Sequence, residues 1–190
     1  NSANDEVSKT TNTGFTWGGD VDTGMGALMY SIESLGTDLL LVTNTSDNVA
    51  YSTDGNSSWT KVAKDIAGDD GDDAIATASG LADGDYIYAA TEDVTEGESH
   101  IFRWQIGTST TWKELTDDGD IPASHVAHGI VLSGGVLYVT TASGSSTETF
   151  RTLNPTAALT VTWTTITDAI DLDREPQGLK VSNGDSPKLW

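Results

Sequence analysis

The most constraining feature of this 190-residue sequence is a pattern of short apolar segments that recurs about every 50 residues. Residues 38–43, 85–90 and 135–140 align with one another, at steps of 47 and 50 between their central apolar positions. Gly, Asp and Asn separate such segments throughout, and helical periodicity is almost absent. Alternating apolar runs bounded by turn residues predict strands, so the pattern indicates an all-β chain.

Each aligned segment belongs to a larger unit of four predicted strands. One apolar strand precedes it, a third strand follows, and a fourth begins with Trp. These residues are Trp59, Trp112 and Trp163, at steps of 53 and 51. Four short strands per period of about 50 residues are typical of a β-propeller blade, which buries its faces by packing on neighbouring blades. A β-sandwich has strands at similar intervals but gives no reason for a repeat of this length.

The sequence predicts three complete blades of four antiparallel strands, at residues 25–68, 69–118 and 119–170. Residues 15–17 are predicted to form the outer strand of an earlier blade within residues 1–24. Residues 178–181 and 188–190 are predicted to be the first two strands of a later one, within residues 171–190. Because closed propellers have about four to eight blades, this is an incomplete ring, and we expect further sequence or another chain to complete it.

The chain is strongly acidic, with 29 Asp and Glu against 9 Lys and Arg and a formal net charge of −20. Such a charge repels nucleic-acid phosphates and anionic lipid, so it disfavours both as partners and favours cations. It suits a chain that stays soluble in high salt, although an ordinary acidic secreted protein is an equal alternative.

Three further features of the sequence concern disulfides, membrane spans and processing of the chain. The chain has no Cys, so it forms no disulfide and no Cys-ligated metal site. The sequence contains no run of about 18 apolar residues, the length that would predict a membrane span. Because the sequence begins with Asn1 and not Met, we expect a processed or trimmed product.

Residues 52–59, Ser-Thr-Asp-Gly-Asn-Ser-Ser-Trp, resemble the Asp-box, or bacterial neuraminidase repeat, whose pattern is Ser-x-Asp-x-Gly-x-Thr-Trp. Ser52, Asp54 and Trp59 match the pattern. Ser58 replaces Thr, and Asn56 replaces the Gly that usually adopts a left-handed conformation, which Asn tolerates. The resemblance implies a structural hairpin turn capped by Asp54, in a chain similar to Asp-box β-propellers. Sialidases, xyloglucan-active glycoside hydrolases, photosystem assembly factors and sortilin-like receptors all contain this box.

The Arg and acidic residues are the candidates for a catalytic role. The resemblance to sialidases would require three Arg residues that hold a carboxylate, and the sequence has three: Arg103, Arg151 and Arg174. Because Arg103 and Arg151 fall at matching third-strand positions, we expect them to lie away from the propeller centre. A glycoside hydrolase needs two carboxylates about 5–10 Å apart, and no pair in the sequence is specific enough to identify.

Two acidic loops are candidate cation sites, because clustered carboxylates around a Gly turn supply the oxygen ligands that Ca²⁺ prefers. The candidates are Asp69, Asp70, Asp72 and Asp73 in one loop, and Asp117, Asp118 and Asp120 in the other. A solvated loop without a bound ion is the alternative, and no other cofactor is predicted.

Two short sequence patterns bear on modification and metal binding. Asn44 and Asn56 each begin an Asn-x-Ser sequence, so both are possible glycosylation sites, expected in exposed turns. His125 and His128 are three residues apart, which in a strand places them on opposite faces and argues against a shared metal.

These observations favour a non-enzymatic, extracellular or cell-surface propeller with a structural, assembly or adhesive role. A place in a surface layer, an appendage or an adhesin would suit it. Its expected partners are neighbouring proteins, further copies of the chain or carbohydrate. The alternative is a carbohydrate-active or carbohydrate-binding propeller, in which exposed aromatic residues stack on sugars. A third possibility is an assembly factor that docks a partner protein.

Overall fold

The computed structural model describes residues 5–66, 74–93, 98–116, 120–121, 125–143, 146–171, 178–182 and 189. Over these ranges the chain forms fourteen β-strands and no helix. Twelve of the strands form three four-stranded antiparallel sheets, each with its strands side by side in chain order. The prediction of an all-β chain built from four-stranded propeller blades is therefore confirmed.

The three sheets are called the first, second and third blades. The first contains β3 (Met29–Ser34), β4 (Leu40–Asn44), β5 (Val49–Ser52) and β6 (Thr60–Lys61). The second contains β7 (Ala74–Ala78), β8 (Tyr86–Asp93), β9 (Glu98–Gln105) and β10 (Lys113–Glu114). The third contains β11 (Val126–Ser133), β12 (Val136–Ser143), β13 (Ser146–Thr152) and β14 (Thr164–Asp171). Each fourth strand begins one residue after its Trp, and β14 ends one residue beyond the predicted boundary at residue 170.

The amino-terminal part forms a small hairpin of β1 (Glu6–Val7) and β2 (Val21–Asp22). The prediction of a strand at residues 15–17 is wrong, because these residues lie in the loop between β1 and β2. Thr13 and Gly14 have φ angles of 56° and 90°, which turn the backbone away from an extended path. Phe15 and Trp17 are exposed in this loop.

The carboxyl-terminal residues approach the third blade. Val181 pairs with Leu189 in a single antiparallel bridge, where two strands of a later blade were predicted. The backbone at Leu179 passes so close to β11 that a Cβ atom on Gly129 would lie 2.5 Å from the Leu179 nitrogen. Glycine at position 129 is therefore required by this approach.

The three first strands lie side by side at the inner edge of the stack. β7 of the second blade packs against both β3 of the first and β11 of the third. Chain order is thus also spatial order, and the second blade lies between the other two. This arrangement leaves the later strands of each blade at increasing distance from the common inner edge.

The hydrophobic cores lie between blades. Adjacent residues on one strand face different neighbours: Ile87 on β8 packs toward the first blade, and Tyr88 packs toward the third. On β4, Leu41 faces the second blade, whereas Val42 faces the amino-terminal hairpin. Strands β4 and β8 therefore each contribute to two cores, which explains the continuous apolar runs in the sequence at these strands.

Two of the repeated Trp residues join one blade to the preceding one. The indole Nε1 of Trp112 donates a hydrogen bond to the Lys64 carbonyl at 2.9 Å, 48 residues earlier. Trp163 Nε1 donates to the Leu115 carbonyl at the same distance and the same separation along the chain. Trp59 differs, because its Nε1 donates within its own blade to Asn56 Oδ1 at 2.7 Å.

We expect Trp163→Phe to destabilise the chain by about 1 kcal/mol, because Phe keeps most of the ring packing but cannot donate to the Leu115 carbonyl. The measurement is urea unfolding of both proteins. Trp17→Phe is the matched control, since Trp17 is 63% exposed and should leave the unfolding midpoint unchanged. Equal midpoints for Trp163→Phe and the parent would show that the indole bond contributes nothing.

Candidate functional site

The turn between β5 and β6 is held by the carboxylate of Asp54. Its Oδ1 accepts hydrogen bonds from the Ser57 and Ser58 amides at 3.0 and 2.9 Å, and from Ser52 Oγ at 2.8 Å. Its Oδ2 accepts one from Ser58 Oγ at 2.6 Å. These bonds hold the pKa of Asp54 far below the usual Asp range, with the Ser58 hydroxyl as the largest cause. Because Ser57 and Ser58, which donate to it, are exposed, losing the Asp54 carboxylate costs less stability than it would in a buried core.

Asn56 completes this turn in a left-handed conformation, with a φ angle of 75°. Its amide nitrogen Nδ2 donates to the Val7 carbonyl of β1 at 2.7 Å, and its Oδ1 accepts from Trp59. Asn56 therefore connects the turn to the amino-terminal hairpin. A Gly at this position, as in the Asp-box pattern, would leave out both side-chain bonds.

The predicted exposure of the two Asn-x-Ser sites is wrong. Asn44 is fully buried, and its Oδ1 accepts hydrogen bonds from the Ser46 and Asn48 amides. Asn56 is 5% exposed, with its Nδ2 already bonded to the Val7 carbonyl. The folded chain therefore offers neither amide nitrogen to a glycan, because both side chains fill the interior of tight turns.

The acidic loops fall almost wholly outside the described residues. Asp69, Asp70, Asp72, Asp73, Asp117 and Asp118 belong to ranges that the structure does not describe, and only Asp120 is described. Within the described ranges, no three His, Cys, Asp or Glu side chains are grouped so that they could hold a metal ion. Calcium binding at these loops stays a prediction.

An axial cleft of about 550 Å³ opens where the first strands meet, lined by parts of β3, β7 and β11 and by residues 178–181. Glu33 is the carboxylate among its described lining residues, and Thr77 Oγ1 donates to Glu33 Oε1 at 3.2 Å. Burial raises the pKa of Glu33, while Thr77 and the nearby Lys180 partly oppose the shift. Because the described lining holds no second carboxylate and no Trp, it lacks the acid pair of a glycoside hydrolase.

Two cationic side chains on the second blade hold a loop of the third. The guanidinium of Arg103 donates through Nη1 to the Pro155 and Ala157 carbonyls, at 2.6 and 3.2 Å. It also lies over the Tyr86 ring, 5.2 Å from its centre. Lys113 Nζ donates to three consecutive carbonyls of the same loop, at residues 157–159. This arrangement, called the Arg103 clamp, satisfies carbonyls that β13 and β14 leave unpaired.

Arg151 occupies the matching position on the third blade. Tyr88 is the cross-strand partner of Arg103, and Tyr138 is likewise the partner of Arg151. Because Val139, next to Tyr138, packs toward the second blade, Tyr138 and Arg151 belong to the opposite face. The Nε atom of Arg151 is buried and has no hydrogen-bond partner. Neither Arg103 nor Arg151 lines the axial cleft, and Arg174 lies outside the described residues.

Sequence reasoning placed Arg103 and Arg151 at matching positions but did not recognise the clamp. The available signal was the recurrence of Arg at the same third-strand position in two consecutive repeats. The acceptor loop carried no signal, because backbone carbonyls are present at every residue. The clamp can be recognised only when the contact between two blades is known.

The histidines lie in different surroundings. His128 is among the residues that line the axial cleft. His100 Nδ1 is 2.6 Å from Glu114 Oε1 at the outer side of the second blade. His125 is buried, with its Nδ1 4.0 Å from Glu148 Oε2 in the third blade.

Comparison with known proteins gives similarities to solved structures but no match in sequence. No family model matches this sequence. No curated protein matches it either. Among solved structures, the chain is similar to one described as YCF48 bound to D1 peptide, with a TM-score of 0.48 and 13% sequence identity. The match covers 94% of this chain and 51% of that chain, so this chain spans about half its length. At this sequence identity, the similarity assigns neither an activity nor a binding partner to this chain.

In the part of the chain that the structure describes, no helix is long and apolar enough to cross a membrane.

We expect Asp54→Asn to lower the melting temperature at about pH 7, because the amide loses charged acceptor bonds to the turn. The folded state lowers the Asp54 pKa below its ordinary value of 3.8, so the unfolded chain binds the proton first as the pH falls. The contribution of Asp54 is therefore complete above about pH 4 and decreases below it.

The measurement is thermal unfolding of the parent and Asp54→Asn at about pH 7 and about pH 3, where the difference between them should be smaller. Asp65→Asn is the matched control, because Asp65 is in an exposed ion pair with Lys61 that contributes little. The same difference at both pH values would rule out an ionised Asp54 as the stabilising group.

Proposed function

We propose that this chain is a non-enzymatic β-propeller module of an extracellular or cell-surface protein, and that it holds a neighbouring protein in a structural, assembly or adhesive role. Arg151 carries this proposal. It repeats, on the side of the third blade that faces away from the second, the residue that binds one blade to the next inside the chain. The resemblance to Asp-box propellers is part of the same proposal.

The chemistry of the expected partner follows from the Arg103 clamp. Inside the chain, this Arg position receives backbone carbonyls from the loop between the third and fourth strands of the next sheet. The partner of Arg151 is therefore another sheet of the same repeat type that presents carbonyl oxygens in such a loop. Arg suits this role because its planar guanidinium donates to two acceptors at once.

The need for a partner is energetic. A buried guanidinium N–H without an acceptor loses its bonds to water and gains none in return, which costs more than leaving an uncharged group unpaired. A docked carbonyl would remove this cost. The strong negative charge of the whole chain adds no attraction for a second acidic copy, so specificity comes from the clamp and from packing of the sheet.

The test uses a synthetic peptide with the sequence of residues 153–160, which contains the loop held by Arg103. We expect this peptide to shift the Arg151 Nε–H resonance in nitrogen-15 NMR spectra of the intact chain. Arg151→Lys should weaken binding about tenfold or more, because Lys keeps the charge but loses the planar pair of donors.

Two controls make this result specific. Lys61→Gln removes a cation on the first blade and should leave peptide binding unchanged. A peptide of the same residues in scrambled order should not bind. No shift at Arg151, or equal binding by the parent and Arg151→Lys, would overturn the proposed docking role.

A second candidate function, carbohydrate binding, is favoured by the loop between β1 and β2. Phe15 is 87% exposed and Trp17 is 63% exposed, two residues apart. Exposed aromatic rings of this kind provide the apolar face on which a sugar ring can stack. Neither ring is needed by the cores between blades, so their exposure has no structural explanation in the described chain.

We expect a sugar ligand to change the fluorescence of Trp17, and Trp17→Ala to abolish that change without loss of stability. The probes are soluble xyloglucan oligosaccharides and sialyllactose, which represent neutral and acidic glycans. Tyr30→Phe is the control, because Tyr30 is an exposed aromatic residue on β3, away from this loop. The absence of any sugar-dependent change in the parent chain would remove this candidate.

A further inference from the structure

We propose that His125, Thr141 and Glu148 form a binding site for one divalent transition-metal ion at the edge of the third blade. His125 directly precedes β11, Thr141 is near the end of β12, and Glu148 is near the start of β13. Thr141 is the cross-strand partner of both Ala127 and Glu148. The antiparallel register therefore brings the three residues to the same end of the sheet.

The three side chains share the face that turns toward the second blade. Val139 on β12 packs in the core between these blades, and Thr141, two residues further, continues the same row. Glu148 stands opposite Thr141 and therefore belongs to this face. The site thus lies where the core between the second and third blades ends.

Two polar atoms at this site are buried without a partner. His125 is 8% exposed, and its Nδ1 has no hydrogen-bond partner. Thr141 is fully buried, and its Oγ1 also has none. Buried polar atoms are almost always paired in folded proteins, and those that lack a protein partner commonly bind a water molecule or an ion.

The gap between His125 and Glu148 leaves room for an ion. Nδ1 and Oε2 are 4.0 Å apart, too far for a direct hydrogen bond. A transition metal binds imidazole nitrogen and carboxylate oxygen at about 2.0–2.2 Å, so two such ligands of one ion lie about 3.0–3.5 Å apart. Binding of an ion would therefore draw these two side chains together by about half an ångström. An imidazole and a carboxylate together suit Zn²⁺ and Co²⁺ better than Ca²⁺, which prefers oxygen ligands alone.

The charge of the chain supports the same ligand class. A formal net charge of −20 raises the local concentration of cations and opposes the binding of anions. With two strong protein ligands and one hydroxyl, the ion keeps water in its other positions. This site is separate from the acidic loops considered for Ca²⁺ and from the docking role of Arg151.

The experiment is a titration of the chelator-treated chain with Zn²⁺ by calorimetry, and with Co²⁺ by visible absorption, at constant ionic strength. We expect one equivalent to bind, with an absorption band typical of Co²⁺ bound to nitrogen and oxygen ligands. His125→Ala and Glu148→Gln should each weaken binding about tenfold or more, since loss of even a supporting ligand contact has an effect of this size.

The matched control is His100→Ala, which removes a histidine from the other His–Glu pair, between His100 and Glu114. It should leave the titration unchanged. Circular dichroism of each variant checks that it is folded, and Glu148→Gln supplies the test if His125→Ala is not. The proposal is overturned if the parent binds neither ion, or if His100→Ala removes binding while Glu148→Gln keeps it.

Discussion

The packing of each sheet against its neighbours is the interaction on which this structure depends. A four-stranded sheet with apolar side chains on both faces, such as the second blade with Ile87 on one side and Tyr88 on the other, cannot remain folded alone in water. Stacking buries both faces and places the first strands together at the inner edge. The turns at the ends of the sheets bury little of this apolar surface. They can therefore differ between repeats, as the turn around Asp54 does.

Much of the fold could be predicted because its determinants are local. Strand positions follow from apolar alternation and turn residues, and the number of strands per blade follows from the repeat. Residues 15–17 were mistaken for a strand because aromatic content is typical of strands, whereas the left-handed backbone at Thr13 and Gly14 decides the outcome. The error on Asn44 and Asn56 has a similar origin, since an Asn-x-Ser pattern contains no information about burial.

The functional features were predictable only where they are contained in one turn. The turn around Asp54 joins residues within four positions of one another, so a short pattern was enough to locate it. The Arg103 clamp joins residues 52 positions apart, and the position of Glu33 in the axial cleft depends on how three sheets converge. The pairing of His125 with Glu148 depends on the register of three strands. Such contacts become visible only when strand pairing and blade order are known.

The indole bonds of Trp112 and Trp163 also bear on how such a chain can evolve. Each bond joins a Trp to a carbonyl 48 residues earlier in the preceding blade, so the indole donor and its carbonyl acceptor recur with the repeat. Duplication of one whole repeat would copy a donor and an acceptor together, and the new blade would arrive with its connection already encoded. An insertion of half a repeat would separate them. Growth by whole units is therefore the change that least disturbs the contacts between blades.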